Sequence, residues 1–150
     1  MAHRQRTNGG RMKRSDFKQL PNFTYYEILL HYFNKGFSRQ QAESEISRIP
    51  LNWFKKLQKV RTQINKKIRL NCLTEGSHKP RSWHFKAKAG DWHVVGPHNK
   101  NKVLQACIDA GFKGIGFYPF WNKPGFHTDT RPGGIKLWKR EKNGKYKGLI

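Results

Sequence analysis

Near the middle of this chain the spacing of apolar residues changes from a helical period to an alternating one, and that change divides what the chain can build. Trp53, Phe54, Leu57, Val60 and Ile64 recur at three- and four-residue intervals, which sets them on one face of an amphipathic helix opened by Pro50. From Ile68 the period falls to two: Ile68, Leu70 and Cys72 alternate with Arg69 and Asn71, a strand pattern that stops near Glu75-Gly76. Two helices are expected earlier. Phe23 to Phe33 has Thr24 as its N-cap, Glu27 at capping-box spacing and Gly36 beyond its end, and a second helix runs from a Ser38 cap through Ser47. Later, Val103, Leu104, Cys107 and Ile108 form a helical stripe closed by Gly111. Strands are expected at Asp91–Val95, Gly114–Tyr118, Phe126–Thr130 and Ile135–Trp138. The resulting class is α+β, with N-terminal helices packed on a small, largely antiparallel sheet that leaves one face for a cleft.

A chain of 150 residues suits one domain, expected over residues 17–150 behind a flexible basic arm at residues 1–16. Lys142 to Lys147 reads as a short basic turn or tail. Lysine and arginine number 31 against nine acids, a net charge of +22 that draws the chain to polyanions: nucleic acid, an anionic membrane surface or a bacterial envelope. With 35 % hydrophobic residues, a wholly disordered basic tail is excluded. Cys72 and Cys107 make no disulfide framework and read as buried free thiols, with a single bridge between them left open. No apolar run follows the basic start, so neither a signal peptide nor a transmembrane span is expected.

Seven histidines stand against those nine acids, and His84, Asp91 and His127 are the set to test against metal coordination. Ligands about 2.0–2.2 Å from one tetrahedral zinc lie roughly 3–4 Å from one another. On a continuous helix the step from His84 to Asp91 would separate them by about 10 Å, so a shared ion requires the chain to double back between them. His31 and His98 read as structural or surface residues.

Several segments, in order, carry a resemblance. Ser82-Trp-His-Phe-Lys-Ala-Lys-Ala-Gly-Asp91 is similar to the Ser-x-His-x-x-Gly-x-Ala-x-Asp signature of zinc D-alanyl-D-alanine metallopeptidases. Cys107-Ile-Asp-Ala-Gly-Phe-Lys-Gly-Ile-Gly-Phe-Tyr118, then Gly125-Phe-His-Thr-Asp129, resemble that family's helix, its Gly-x-Gly-x-Tyr strand and its Phe-x-His-x-Asp strand, and Trp138 fits the closing position. The resemblance covers roughly Phe23 to Trp138 and implies the hedgehog-like peptidase fold of cell-wall carboxypeptidases, endopeptidases and phage endolysins.

Carried over position by position, it implies His84, Asp91 and His127 as zinc ligands, with a fourth position open for water. Two departures stand out. Ala87 occupies the glycine position of the signature, and Pro124 and Gly125 stand where many relatives place a proton-transferring residue before the last ligand. Asp129, on the same strand face as His127, is then the candidate general base or the residue that orients a ligand. Tyr118 is expected to donate to the oxyanion, Arg81 and His78 to meet a substrate carboxylate, and His93 to steady the ligands.

The implied activity is hydrolysis of D-amino-acid peptide bonds in peptidoglycan by a monomeric, bacteriolytic endolysin. It would be made in a host cytoplasm and act at the periplasm or cell wall, with the basic charge drawing it to the envelope. Two alternatives remain: a nucleic-acid-binding protein, for the basic arm, the Lys/Arg face of the third helix and the tryptophans interleaved with lysines, and an inactive relative that binds cell wall.

Overall fold

The computed structural model describes residues 11–150. A 3-10 helix at Arg14–Gln19 precedes three α-helices, α1 (Tyr25–Phe33), α2 (Arg39–Arg48) and α3 (Leu51–Ile64). Strands β1 (Ile68–Cys72) and β2 (Ala89–Val94) follow, then α4 (Lys100–Ala110), β3 (Gly114–Tyr118), β4 (Gly125–Asp129), β5 (Lys136–Arg140) and β6 (Tyr146–Gly148). The class is the expected α+β.

Local chemistry sets the helix ends. Thr24 Oγ1 accepts from the Glu27 amide at 3.1 Å, and Ser38 and Gln41 cap each other's backbone amides at the start of α2. Asn99 caps α4, and Gly111 ends it in the left-handed region at φ 94°.

The six strands lie in the order β1-β2-β4-β3-β5-β6, and every neighbouring pair is antiparallel except β3 and β5. Trp53 joins α3 to this sheet. Its ring covers Gly90, where a Cβ would come within 2.3 Å of it, and its Nε1 donates to the Thr128 carbonyl at 3.1 Å. Trp53, Phe54 and Leu57 are fully buried, each worth about 1.5–3 kcal/mol of transfer free energy. Strand alternation turns Gly90, Trp92, Phe126 and Thr128 toward this core and leaves Asp91, His93, His127 and Asp129 on the opposite face.

Two boundaries differ from expectation. Residues 11–16 belong to the folded body: Arg11 bridges to Pro50, the Met12 amide donates to the Ser47 carbonyl, and the buried side chains of Met12 and Phe17 anchor the segment. Residues 1–10 of the expected arm lie outside the described residues. The basic stretch at Lys142–Lys147 makes the expected turn, with the Gly144 amide on the Glu141 carbonyl, but then continues into β6, which pairs with β5. Both cysteines are free, but only Cys107 is fully buried, whereas Cys72 is half-buried. No helix among the described residues is long and apolar enough to cross a membrane.

Candidate metal centre

The centre is assembled from two sheet strands and one returning turn. Asp91 on β2 stands directly opposite His127 on β4 in the ladder. His84 arrives by the doubling back that its spacing required: the amides of Lys86, Ala87 and Lys88 return to the carbonyls of Ser82, His84 and Trp83. The turn is bought with a left-handed residue, Ala87 at φ 57°, at the position where the resembling signature carries glycine.

Helix α1 holds the segment that orients His84. Tyr32 and Thr74 join through their hydroxyls at 2.6 Å, and Glu75 accepts from the Leu73 amide at 2.6 Å while its other oxygen meets His31 Nε2. So anchored, the Leu73 carbonyl lies 2.6 Å from His84 Nδ1. A carbonyl only accepts, so Nδ1 carries a proton and Nε2 is the nitrogen presented to Asp91 Oδ1 at 3.1 Å.

His127 is fixed in the complementary way. Its Nε2 donates to Asp129 Oδ2 at 2.7 Å, and its Nδ1 faces the same Asp91 oxygen at 2.9 Å. Asp129 is fully buried and is gripped by Arg131 through Nε at 2.8 Å and Nη2 at 2.6 Å.

Burial works to raise the carboxyl of Asp91, but hydrogen bonds from His127 and His84 outweigh it and hold it at about 2. Asp129 is likewise held at about 2, with Arg131 and His127 overcoming burial. For His127, burial favours the neutral ring, yet the hydrogen bonds to Asp129 and Asp91 raise it to about 9.

This donor set fits a metal ion. The ligand atoms of His84, Asp91 and His127 lie within 4.8 Å of one another, and two imidazole nitrogens with opposite edges already engaged converge on one carboxylate. Each of those nitrogens needs either a proton or a cation in front of it, and a cation serves both at once.

Two recesses flank the cluster. One is lined by Asn71, Asp91, Trp121, Asn122 and Lys123, and the other by aromatic residues including Trp83, Tyr118 and Trp138 beside His127 and Arg131. Among the described residues, Asp91 is the only carboxylate lining either recess. A larger apolar recess between the 3-10 helix and α1 lies away from the cluster and, among the described residues, is lined by no metal-ligating side chain. Tyr118 accepts from Trp138 Nε1 at 3.1 Å, and burial raises its hydroxyl well above the ordinary phenol range, so it stays a donor.

Other expected residues fall elsewhere. Asp129 stands behind His127, and its contacts support the orienting role rather than that of a base. His78 stacks on His84 with ring centres 4.6 Å apart and has its Nε2 against the Glu75 carbonyl, while Arg81 is exposed; neither lines the two recesses. His93 pairs with Asn71 at 2.7 Å instead of touching a ligand, because its register places it one pair further along β2.

The competing expectation for Asp129, an ion pair with Arg131 or Lys136, is met at Arg131, which binds the carboxylate alongside His127. Sequence reasoning missed why Gly114 and Gly116 are glycines. They stand opposite Asp129 and His127 on β3, and a Cβ would fall 2.2 Å from the Asp129 carboxylate at Gly114 and 2.5 Å from Trp138 at Gly116. No protein family, curated protein or solved structure matches the chain.

Proposed function

We propose that the chain is a zinc-dependent peptidase acting on D-amino-acid peptide bonds of peptidoglycan, of the endolysin type. The observation that carries this reading is the convergence of His84 Nε2, His127 Nδ1 and Asp91 on one point beside an aromatic and basic cleft. Two imidazoles and one carboxylate favour zinc over calcium or magnesium. When bound, zinc supplies Lewis acidity toward a peptide carbonyl and a water acidic enough to ionise near neutrality.

The protein's own groups divide the remaining work. Leu73 and Asp129 hold the two rings in the tautomers that free the coordinating nitrogens. Tyr118, kept protonated, offers its hydroxyl proton to a developing oxyanion from the aromatic side of the cleft. Lys123 on the polar side is the cation placed to receive a stem-peptide carboxylate, the role first expected of Arg81 and His78. The charge of +22 gives long-range attraction to a phosphate- and carboxylate-rich envelope, weakened by salt.

The test is turbidity loss of purified sacculi together with analysis of the released fragments. Cleavage is expected at D-amino-acid peptide bonds, abolished by chelator, restored by zinc and absent from His84→Ala. Cleavage that persists in metal-free protein would overturn the reading. A second reading, a metal-bearing module that binds wall without cutting it, is favoured by the lack, among the described residues, of another carboxylate in the cleft lining. Sedimentation with sacculi without fragment release would establish that alternative.

A further inference from the structure

Behind His84 lies a second set of donors that the metal centre does not use. Cys72 Sγ is 3.6 Å from His78 Nε2 and 4.0 Å from His84 Nδ1, and the three ligand atoms lie within 4.8 Å of one another. A tetrahedral ion with sulfur at about 2.3 Å and nitrogen at about 2.0–2.1 Å needs a sulfur–nitrogen separation of roughly 3.5 Å. His78 meets that spacing as it stands, and because the two rings stack nearly parallel with centres 4.6 Å apart, one of them would have to turn out of the stack for His84 Nδ1 to share the ion.

We propose that Cys72, His78 and the Nδ1 edge of His84 form a second cation seat, selective for thiolate-preferring divalent ions and mutually exclusive with the His84/Asp91/His127 seat. Exclusion follows from His84 itself. A neutral imidazole has one lone-pair nitrogen. With its Nδ1 proton on the Leu73 carbonyl, His84 offers Nε2 to the first seat. An ion at Cys72 requires that proton to pass to Nε2, which turns the ring's other edge into a donor toward Asp91.

The proton balance is explicit. The thiol proton leaves to solvent as the sulfur–metal bond forms, and His78 shifts its proton from Nε2 to Nδ1, giving up the Glu75 carbonyl. Sulfur makes this the softer of the two seats, and the first set, without sulfur, the harder. A thiolate-seeking ion would therefore inhibit by drawing His84 out of the first cluster, at a place no substrate needs to enter. The proposal does not depend on the peptidase reading.

The test uses cadmium(II) alone, added to the full chain while sulfur-to-cadmium charge-transfer absorption is followed. The band is expected to saturate at one equivalent, to vanish in Cys72→Ser, to need at least about ten-fold more cadmium in His78→Ala, and to persist in Asp91→Asn. In protein first loaded with one equivalent of cobalt(II), the visible cobalt bands should fade as the cadmium band grows, and survive the same cadmium concentration in Cys72→Ser. Circular dichroism verifies that each variant is folded, with His78→Gln as a replacement should His78→Ala not be. No band, or a band of equal affinity without His78, would reduce the site to a lone thiol and overturn the proposal. Cobalt bands that stay unchanged while cadmium binds, or fade equally in Cys72→Ser, would overturn the exclusion.

Discussion

His127 and Asp129, on one face of β4, are joined by a 2.7 Å hydrogen bond from imidazole Nε2 to carboxylate Oδ2. Arg131, at the next alternate position, closes over that carboxylate with two further bonds. The three residues form a relay of fixed charges that aims one ring nitrogen at Asp91.

Replacing Asp129 by asparagine keeps the shape and removes the charge. Metal affinity is expected to fall about 10- to 100-fold, the usual cost of losing a carboxylate behind a ligating imidazole, as read by competition with a chromophoric chelator. Asp129→Ala should also lower the melting temperature, because it leaves the Arg131 guanidinium without its partner.

The pH dependence of the metal-free protein has a defined sign on each side. His127 is raised from 6.5 to about 9, so its contribution to stability is complete below pH 6.5 and is lost as pH rises through about 9. Asp91 and Asp129 are lowered from 3.8 to about 2, so theirs is present above pH 3.8 and is lost as pH falls through about 2. Thermal unfolding in chelator should show a plateau between those inner limits. Metal uptake at pH 7 should expel about one proton, from His127, measurable by calorimetry in buffers of different ionisation enthalpy.

Gly114→Ala places a methyl group against the Asp129 carboxylate, which cannot yield without releasing Arg131 or His127. Metal affinity should drop at least about ten-fold, with a lower melting temperature. Gly134→Ala, where an added Cβ meets nothing within 4 Å, serves as the control and should change neither.

At Ala87 the left-handed backbone costs about 1–2 kcal/mol, while its buried methyl returns about 0.8 kcal/mol. Ala87→Gly is therefore expected to shift stability by no more than about 1 kcal/mol in chemical denaturation. Ala87→Val, a branched residue in the same conformation, should destabilise by about 2 kcal/mol or more and loosen His84 with it.

Much of this architecture is written in short-range pattern. The Thr24 and Ser38 caps, the α3 stripe ending at Ile64, and the Gly114–Tyr118 strand are carried by residues within a few positions of one another, and the structure places each where the spacing put it. The grouping of His84, Asp91 and His127 was also legible, through a resemblance joined to ligand spacing. What escaped depends on distant partners. Strand β6 is polar and exposed and exists through pairing with β5, and Met12 and Phe17 are too sparse to reveal a buried segment. The places of His78 and His93 turned on the stack over His84 and on Asn71, neither of which leaves a local periodic signal.

The ladder pairing of Asp91 with His127 spans 36 positions, enclosing α4 and β3, and His84 joins only through a turn that closes outside the sheet. A chain that has built its helices but not yet zipped β2 to β4 has scattered donors and nowhere to keep an ion. An ion taken up by the three side chains would thus be retained only by a chain whose β2 and β4 are already paired, so its retention would report that this long-range contact has formed.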